Sequence, residues 1–132
     1  MRIVLDTNCL IQCVGRYSFF RPVWISILRG EHTLCITNEI IEEYSEILQR
    51  LFCPEFAEVV ITTILKSPHV ERIKPHFRFN LITTDPDDNK FVDCAIVANA
   101  RYIVTNDRHY DILKHIKFPS VDVIALKDFL EL

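Results

Sequence analysis

Glycine is nearly missing from this chain: Gly15 and Gly30 are the only two among 132 residues. No Gly/Ser linker, internal repeat or low-complexity tract divides the sequence, so the length prior gives one domain over residues 1–132. The N-terminus lacks the basic start, apolar core and small-residue cleavage site of a signal peptide. No apolar run approaches the roughly 18 residues of a membrane span. The expectation is a soluble, cytoplasmic protein with no membrane partner. Paired cysteine motifs are absent too. Cys9, Cys13, Cys35, Cys53 and Cys94 are odd in number, contain no CxxC and lie in apolar surroundings, which predicts buried thiols in a reducing compartment. Cys9 and Cys13 share a helix face, but no histidine lies nearby in sequence to complete a tetrahedral zinc site. Positive charge is not in excess either. The formal charge is −3, which argues against a nucleic-acid binder that relies on a broad basic surface. Were four acids engaged with cations, the remainder would carry +1, a nearly neutral surface.

What is present is a 49% apolar composition arranged in alternating strand and helix patterns. Residues 2–6 read as a buried strand that leads directly into a short helix from Thr7 to about Val14. A second helix is expected from about Ser18 to Leu28, with Arg29-Gly30 as its stop signal. "HTLCITN" then reads as a strand, Glu39 to Phe52 as a helix, and "EFAEVVITTILKS" as a helix entered at Pro54 and closed before Pro68. After a strand near "VERIKP" and an unpatterned stretch, "DPDDNKFVDCAIVANA" reads as a turn leading into a helix. "YIVTN" follows as a strand, "DRHYDILKHI" as a helix, "DVIAL" as a last strand and "KDFLEL" as a helical turn. This alternation predicts right-handed βαβ crossovers and a mostly parallel sheet covered on both faces. In such sheets, ligands bind outside the carboxyl ends of the strands.

Two strands end in closely similar polar trios, Asp6-Thr7-Asn8 after "RIVL" and Thr105-Asn106-Asp107 after "RYIV". Polar groups at the end of an apolar run are costly unless water, a hydrogen bond or a metal satisfies them. Asp6 and Asp107 therefore become candidates for one crevice. In the helix "NEIIEEYSEILQRLF", the apolar positions Ile40, Ile41, Tyr44, Ile47, Leu48, Leu51 and Phe52 define a face. Glu43 lies roughly 110° from its centre, whereas Glu39, Glu42 and Glu46 lie about 150–170° away. Glu43 is the glutamate nearest the core boundary, and the other three read as solvated. From Phe91 to Ala100 the only charge is Asp93, a carboxylate that needs a polar cavity or a partner. Asp87 and Asp88 read first as helix-cap acids, with Asp88 also a supporting candidate at the site.

The set Asp6, Glu43, Asp93 and Asp107 would repel itself unless a cation were present. Oxygen ligands suit Mg²⁺ or Mn²⁺, and the chemistry implied is phosphodiester hydrolysis. Thr7, Asn8, Thr105 and Asn106 are expected to orient the carboxylates, or to serve as turn and cap residues, roles that can coexist.

The stretches "IVLDTNCLI", "ITNEIIEEYSEILQR", "DPDDNKFVDCAIVANARYIVTNDRHYDIL" and "DVIALKDFL" resemble the PIN domain family, in particular its VapC-like branch of toxin components from toxin–antitoxin pairs. The resemblance extends over nearly the whole chain. It implies a three-layer α/β/α fold with a parallel sheet and a Mg²⁺- or Mn²⁺-dependent ribonuclease that cuts single-stranded RNA. It also implies a cognate antitoxin, and dimers are common among relatives. On the family's pattern, Asp6, Glu43, Asp93 and Asp107 match the catalytic and metal-binding acids. One departure stands out: many relatives carry a further acid two residues after the T-x-D aspartate, where this chain has His109.

"ERIKPHFRF" interleaves Arg72, Lys74, His76 and Arg78 with Phe77 and Phe79, compatible with phosphate pairing and base stacking. An edge strand with a basic outer face and phenylalanines in the core is the more economical reading. Lys90 and Arg108 are further candidates for RNA contact, as are Arg16 and Arg21. Two other functions compete with the nuclease. A non-catalytic PIN-like RNA- or protein-binding module would not need all four acids. A phosphohydrolase or receiver-like domain would need a second aspartate after the first strand or a downstream lysine, neither of which is evident.

Overall fold

The computed structural model describes residues 1–132. Five parallel strands form one sheet in the order β3-β2-β1-β4-β5, with helices on both faces in an α/β/α arrangement. The strands are β1 (Arg2–Leu5), β2 (Thr33–Ile36), β3 (Val70–Arg72), β4 (Tyr102–Val104) and β5 (Val123–Ile124). The helices are α1 (Thr7–Val14), α2 (Arg21–Leu28), α3 (Asn38–Leu51), α4 (Pro54–Lys66), α5 (Asn89–Ala98) and α6 (Leu126–Leu130). Short 3₁₀ segments cover Pro86–Asp88 and Arg108–His115.

The centre of the sheet explains the placement of the first acid. Ile3, Val4 and Leu5 are fully buried, as a strand covered on both faces requires. β1 pairs with β2 on one side and β4 on the other, with Ile3 opposite Leu34 and Tyr102. From β1 the order runs one way to β2 and β3 and the other way to β4 and β5, so the crossovers reverse their progress across the sheet between β1 and β4. A crevice opens at the carboxyl ends there. The β1–β4 ladder continues to Asp6, whose N–H donates to the Val104 carbonyl at 3.0 Å.

The parallel topology also sets which helix ends reach this crevice. α3 leaves the carboxyl end of β2, and α5 runs back toward the start of β4, so both present their N-termini at the crevice end of the sheet. Thr37 caps α3 by accepting the Ile40 N–H at 3.2 Å. Tyr44, fully buried, donates its hydroxyl to the Leu5 carbonyl and ties α3 to β1 one residue before Asp6.

Several sequence expectations are corrected. The second helix begins at Arg21 rather than Ser18, because Pro22 is tolerated only in a first turn. The segment after β4 is 3₁₀ rather than α, with Tyr110 and Leu113 buried. Leu51 and Phe52 leave the α3 core face and are 56% and 46% exposed. Four cysteines are buried, but Cys53 is exposed and its sulfur accepts the Phe56 N–H at the start of α4. No helix is long and apolar enough to cross a membrane.

Residues 73–85 form no regular element. Two α5 side chains fasten this stretch. Asn89 accepts the Ile82 N–H at 2.9 Å and donates to the Ile82 carbonyl at 2.8 Å, while Asp93 accepts the Phe79 N–H at 3.1 Å.

Candidate metal centre

Asp6 sits between β1 and α1, where one carboxylate serves both the helix and the crevice. Its Oδ1 accepts the Thr7 N–H at 2.8 Å, and its Oδ2 accepts the Thr105 hydroxyl at 2.7 Å. Burial pushes its carboxyl pKa up; the Thr105 and Thr7 hydrogen bonds oppose that rise, and the Glu43 and Asp107 carboxylates add to it. Across the crevice, Thr105 also accepts the Asp107 N–H at 3.1 Å, so one hydroxyl links the acids of both strands. Asp107 in turn caps the following 3₁₀ segment by accepting the His109 N–H at 2.9 Å. Asn106 turns the other way and accepts the Leu126 N–H at 3.0 Å, anchoring α6. Asn8 is exposed beside Asp6 at the rim, with Ile11 and Gln12.

Glu43 reaches the same region from α3. Thr7 donates its hydroxyl to Glu43 Oε2, and Lys90 Nζ lies 2.9 Å from Oε1. Both of its oxygens are thereby oriented by residues that flank the crevice.

Asp88 completes the group, although it read in the sequence first as a cap. It makes no capping hydrogen bond; Asp85 accepts the Asp87 N–H instead. Burial, then repulsion from Asp85, Asp6 and Asp107, pushes the Asp88 carboxyl up to about 6, with His109 opposing. Its Oδ2 is sealed from solvent without a well-formed hydrogen bond, and so is the hydroxyl of the fully buried Tyr110. Burial first, then the Asp6, Asp88 and Asp107 charges and a weak hydrogen bond to Asp88, push the Tyr110 hydroxyl pKa up. Crowded carboxylates with a buried oxygen short of partners form a donor set that fits a hard dication.

Asp93 is not brought into this group. Only 6% exposed, it turns toward the 73–85 stretch, where the Phe79 N–H is its hydrogen-bond partner and Arg78 and Glu39 are the charges that act on it. The geometry of α5 explains the separation. Five helical residues advance by about 7.5 Å and rotate by about 140°, so Asp88, the last residue before α5, and Asp93 turn to different surroundings.

Sequence reasoning missed Asp85, Asn89 and Tyr110. One signal was available: a 3₁₀ turn has three residues per turn, so acids at i and i+3 around Pro86 fall on one side.

The basic candidates divide between free and engaged groups. Arg72 donates to Asn38 at 3.0 Å, and Lys90 is held by Glu43. Arg78 is 77% exposed, 3.5 Å from Glu39, and Lys74 and Arg108 are exposed. Phe77 is 70% exposed rather than in the core, which corrects the edge-strand reading. With Arg78, His76, Glu39, Lys90 and Asp93 it lines a groove of about 320 Å³ beside the crevice. Arg21 is committed to the Val14 carbonyl at 2.6 Å, and Arg16 lies over the Tyr17 ring.

The model of the PIN domain family matches residues 2–109. Solved structures with the same fold include a chain of VapBC2 from Rickettsia felis bound to a DNA fragment from its promoter. It is 17% identical, with a TM-score of 0.66, over 95% of this chain and 98% of the other. A chain of DNA-bound VapBC from Salmonella typhimurium is 16% identical, with a TM-score of 0.62, over 96% and 98%. The PIN domain endonuclease Utp24 is 16% identical, with a TM-score of 0.55, over 94% of this chain and 84% of the other. No curated protein matches the chain.

Proposed function

The chain belongs to the PIN domain family, and from that premise we propose that its acidic crevice is the active site of a divalent-metal-dependent endoribonuclease acting on single-stranded RNA. The observation that carries the reading is the convergence of Asp6, Asp107 and Asp88, whose carboxylates repel one another while an Asp88 oxygen stays buried without a well-formed hydrogen bond. Asp6, Asp88 and Asp107 would hold Mg²⁺ or Mn²⁺, with Glu43 contributing from α3. When bound, the cation supplies a Lewis acid to the phosphodiester and to the attacking water. The chain's own part is to fix the acids. Thr105 bridges Asp6 and Asp107, while Thr7 and Lys90 orient Glu43. Lys74, Arg78 and Arg108 offer charge to RNA phosphates, and the exposed Phe77 offers a face for a base.

The resemblance to toxin components, together with the likeness to chains from VapBC assemblies, supports a place in a toxin–antitoxin pair. In that reading the protein is cytoplasmic and an antitoxin is its cognate partner.

The test is cleavage of varied single-stranded RNAs by pure protein with Mn²⁺. Asp6→Asn should lower the rate at least about 100-fold, the scale of losing a group that acts on the reacting atoms. Absence of cleavage by the native protein, or equal cleavage by Asp6→Asn, would overturn the proposal.

A further inference from the structure

His109 occupies the position where the family resemblance leads one to expect an acid, and the structure shows what surrounds it. Its Nδ1 lies 3.4 Å from Asp107 Oδ1, 3.7 Å from Asp88 Oδ2 and 3.9 Å from Asp85 Oδ2. Donor atoms from Asp85, Asp88 and His109 all fall within 4.8 Å of one another. These separations exceed those of direct hydrogen bonds. They fall between the spacings of ligands about 2.1 Å from an octahedral ion, about 3.0 Å when adjacent and about 4.2 Å when opposite, so small side-chain rotations bring these donors onto one cation.

Acids and a histidine on a turn do not alone make a site. The independent observation is Asp88 Oδ2, sealed from solvent with no well-formed hydrogen bond, beside the fully buried Tyr110, whose hydroxyl is only a weak partner for Asp88. A sealed carboxylate oxygen short of partners, next to a cluster of metal-type donors, indicates a place built for a bound cation. The backbone holds the imidazole in register with this place, since the His109 N–H is tied to Asp107 Oδ1.

We infer that His109 is a metal ligand, with Asp88 and Asp85, and that its nitrogen makes this chain's site select a transition-metal dication over Mg²⁺. This inference rests on the reading of the crevice as a metal-dependent active site. The chemical reason is donor type: Mg²⁺ favours oxygen ligands, whereas neutral imidazole adds affinity along the series from Mn²⁺ onward. A site of four carboxylates would show a smaller bias, so the departure from an acid at this position shifts the balance of ions further toward the transition metal.

The test compares the native protein with His109→Asp and His109→Ala by calorimetry with Mn²⁺ and with Mg²⁺, and by electron spin-echo spectroscopy of bound Mn²⁺. In the native protein, Mn²⁺ should show coupling to an imidazole ¹⁴N that His109→Ala abolishes. His109→Asp should lower the Mn²⁺-to-Mg²⁺ affinity ratio by about tenfold or more, within the scale of changes made around a bound metal. Mn²⁺ bound without nitrogen coupling, or an unchanged ratio in His109→Asp, would overturn the inference and leave the nuclease reading standing. Failure of the native protein to bind either ion would overturn both. Circular dichroism of each variant separates loss of the ligand from loss of the fold.

Discussion

At the scale of single residues, Asp88, just before α5, and Asp93, within it, should respond in opposite ways. Asp88 has its carboxyl pushed from 3.8 up to about 6 in the folded protein. Between those values the folded state binds more protons than the unfolded chain, so stability falls as pH rises through that window. Above it, ionised Asp88 opposes folding. Asp88→Asn should therefore raise the urea-unfolding stability of chelator-treated protein at pH 7 by about 1–3 kcal/mol. The gain should fade below pH 4 or so, and Mn²⁺ binding should be lost in the same variant. A gain independent of pH would show that some other effect is responsible. Asp93→Ala should instead cost about 1–3 kcal/mol by leaving the Phe79 N–H without its acceptor, whereas Asp93→Asn keeps an acceptor and stays within about 1 kcal/mol of native. If Asp93→Asn folds but no longer binds Mn²⁺, Asp93 belongs with the other acids after all. Charge cost alone made Asp93 conspicuous in the sequence, and it is indeed buried. That argument identifies an acid that needs a partner, but not which partner, and here the partner is a backbone N–H from a stretch without local pattern.

At the scale of elements, what the sequence revealed depended on how local the cause was. α3 was legible to within a residue at each end because its period and most of its apolar face lie inside it, and the structure adds the Thr37 cap just before it. Thr37→Ala should lower stability by about 1 kcal/mol, and Thr37→Ser should restore it, as read from urea unfolding. β1, β2 and β4 were legible for the same reason, since strands buried on both faces are continuous apolar runs. Residues 73–85 were not legible, because Asn89 and Asp93 hold them by side-chain bonds to backbone that leave no periodic trace. The α2–β2 turn is a place where sequence punctuation and structure coincide. Gly30 has φ +82°, and a Cβ there would lie 2.6 Å from the His69 ring, so Gly30→Ala should lower the unfolding midpoint by combining strain with a clash.

At the scale of the whole molecule, the formal charge of −3 and the acidic crevice limit how RNA can be held. Several of the basic groups near the strand ends already have protein partners: Lys90 neutralises Glu43, and Arg72 is bonded to Asn38. Lys74, Arg78 and Arg108 remain on the surface, three cations for the phosphate backbone. Binding to a single strand that releases one counterion per contact gives a slope of about −0.7 per phosphate in log affinity against log salt, or about −2 for three contacts. Fluorescence anisotropy with a labelled single-stranded RNA, cleavage-deficient Asp6→Asn, fixed Mn²⁺ and a KCl series reads that slope directly. A slope near −2 that becomes shallower in Arg78→Ala would place the RNA along the groove of Phe77 and Arg78 and leave metal coordination to supply much of the grip on the scissile phosphate. A slope of about −5 or steeper requires roughly seven contacts, more cations than this face presents, and would mean that RNA lies across a different surface.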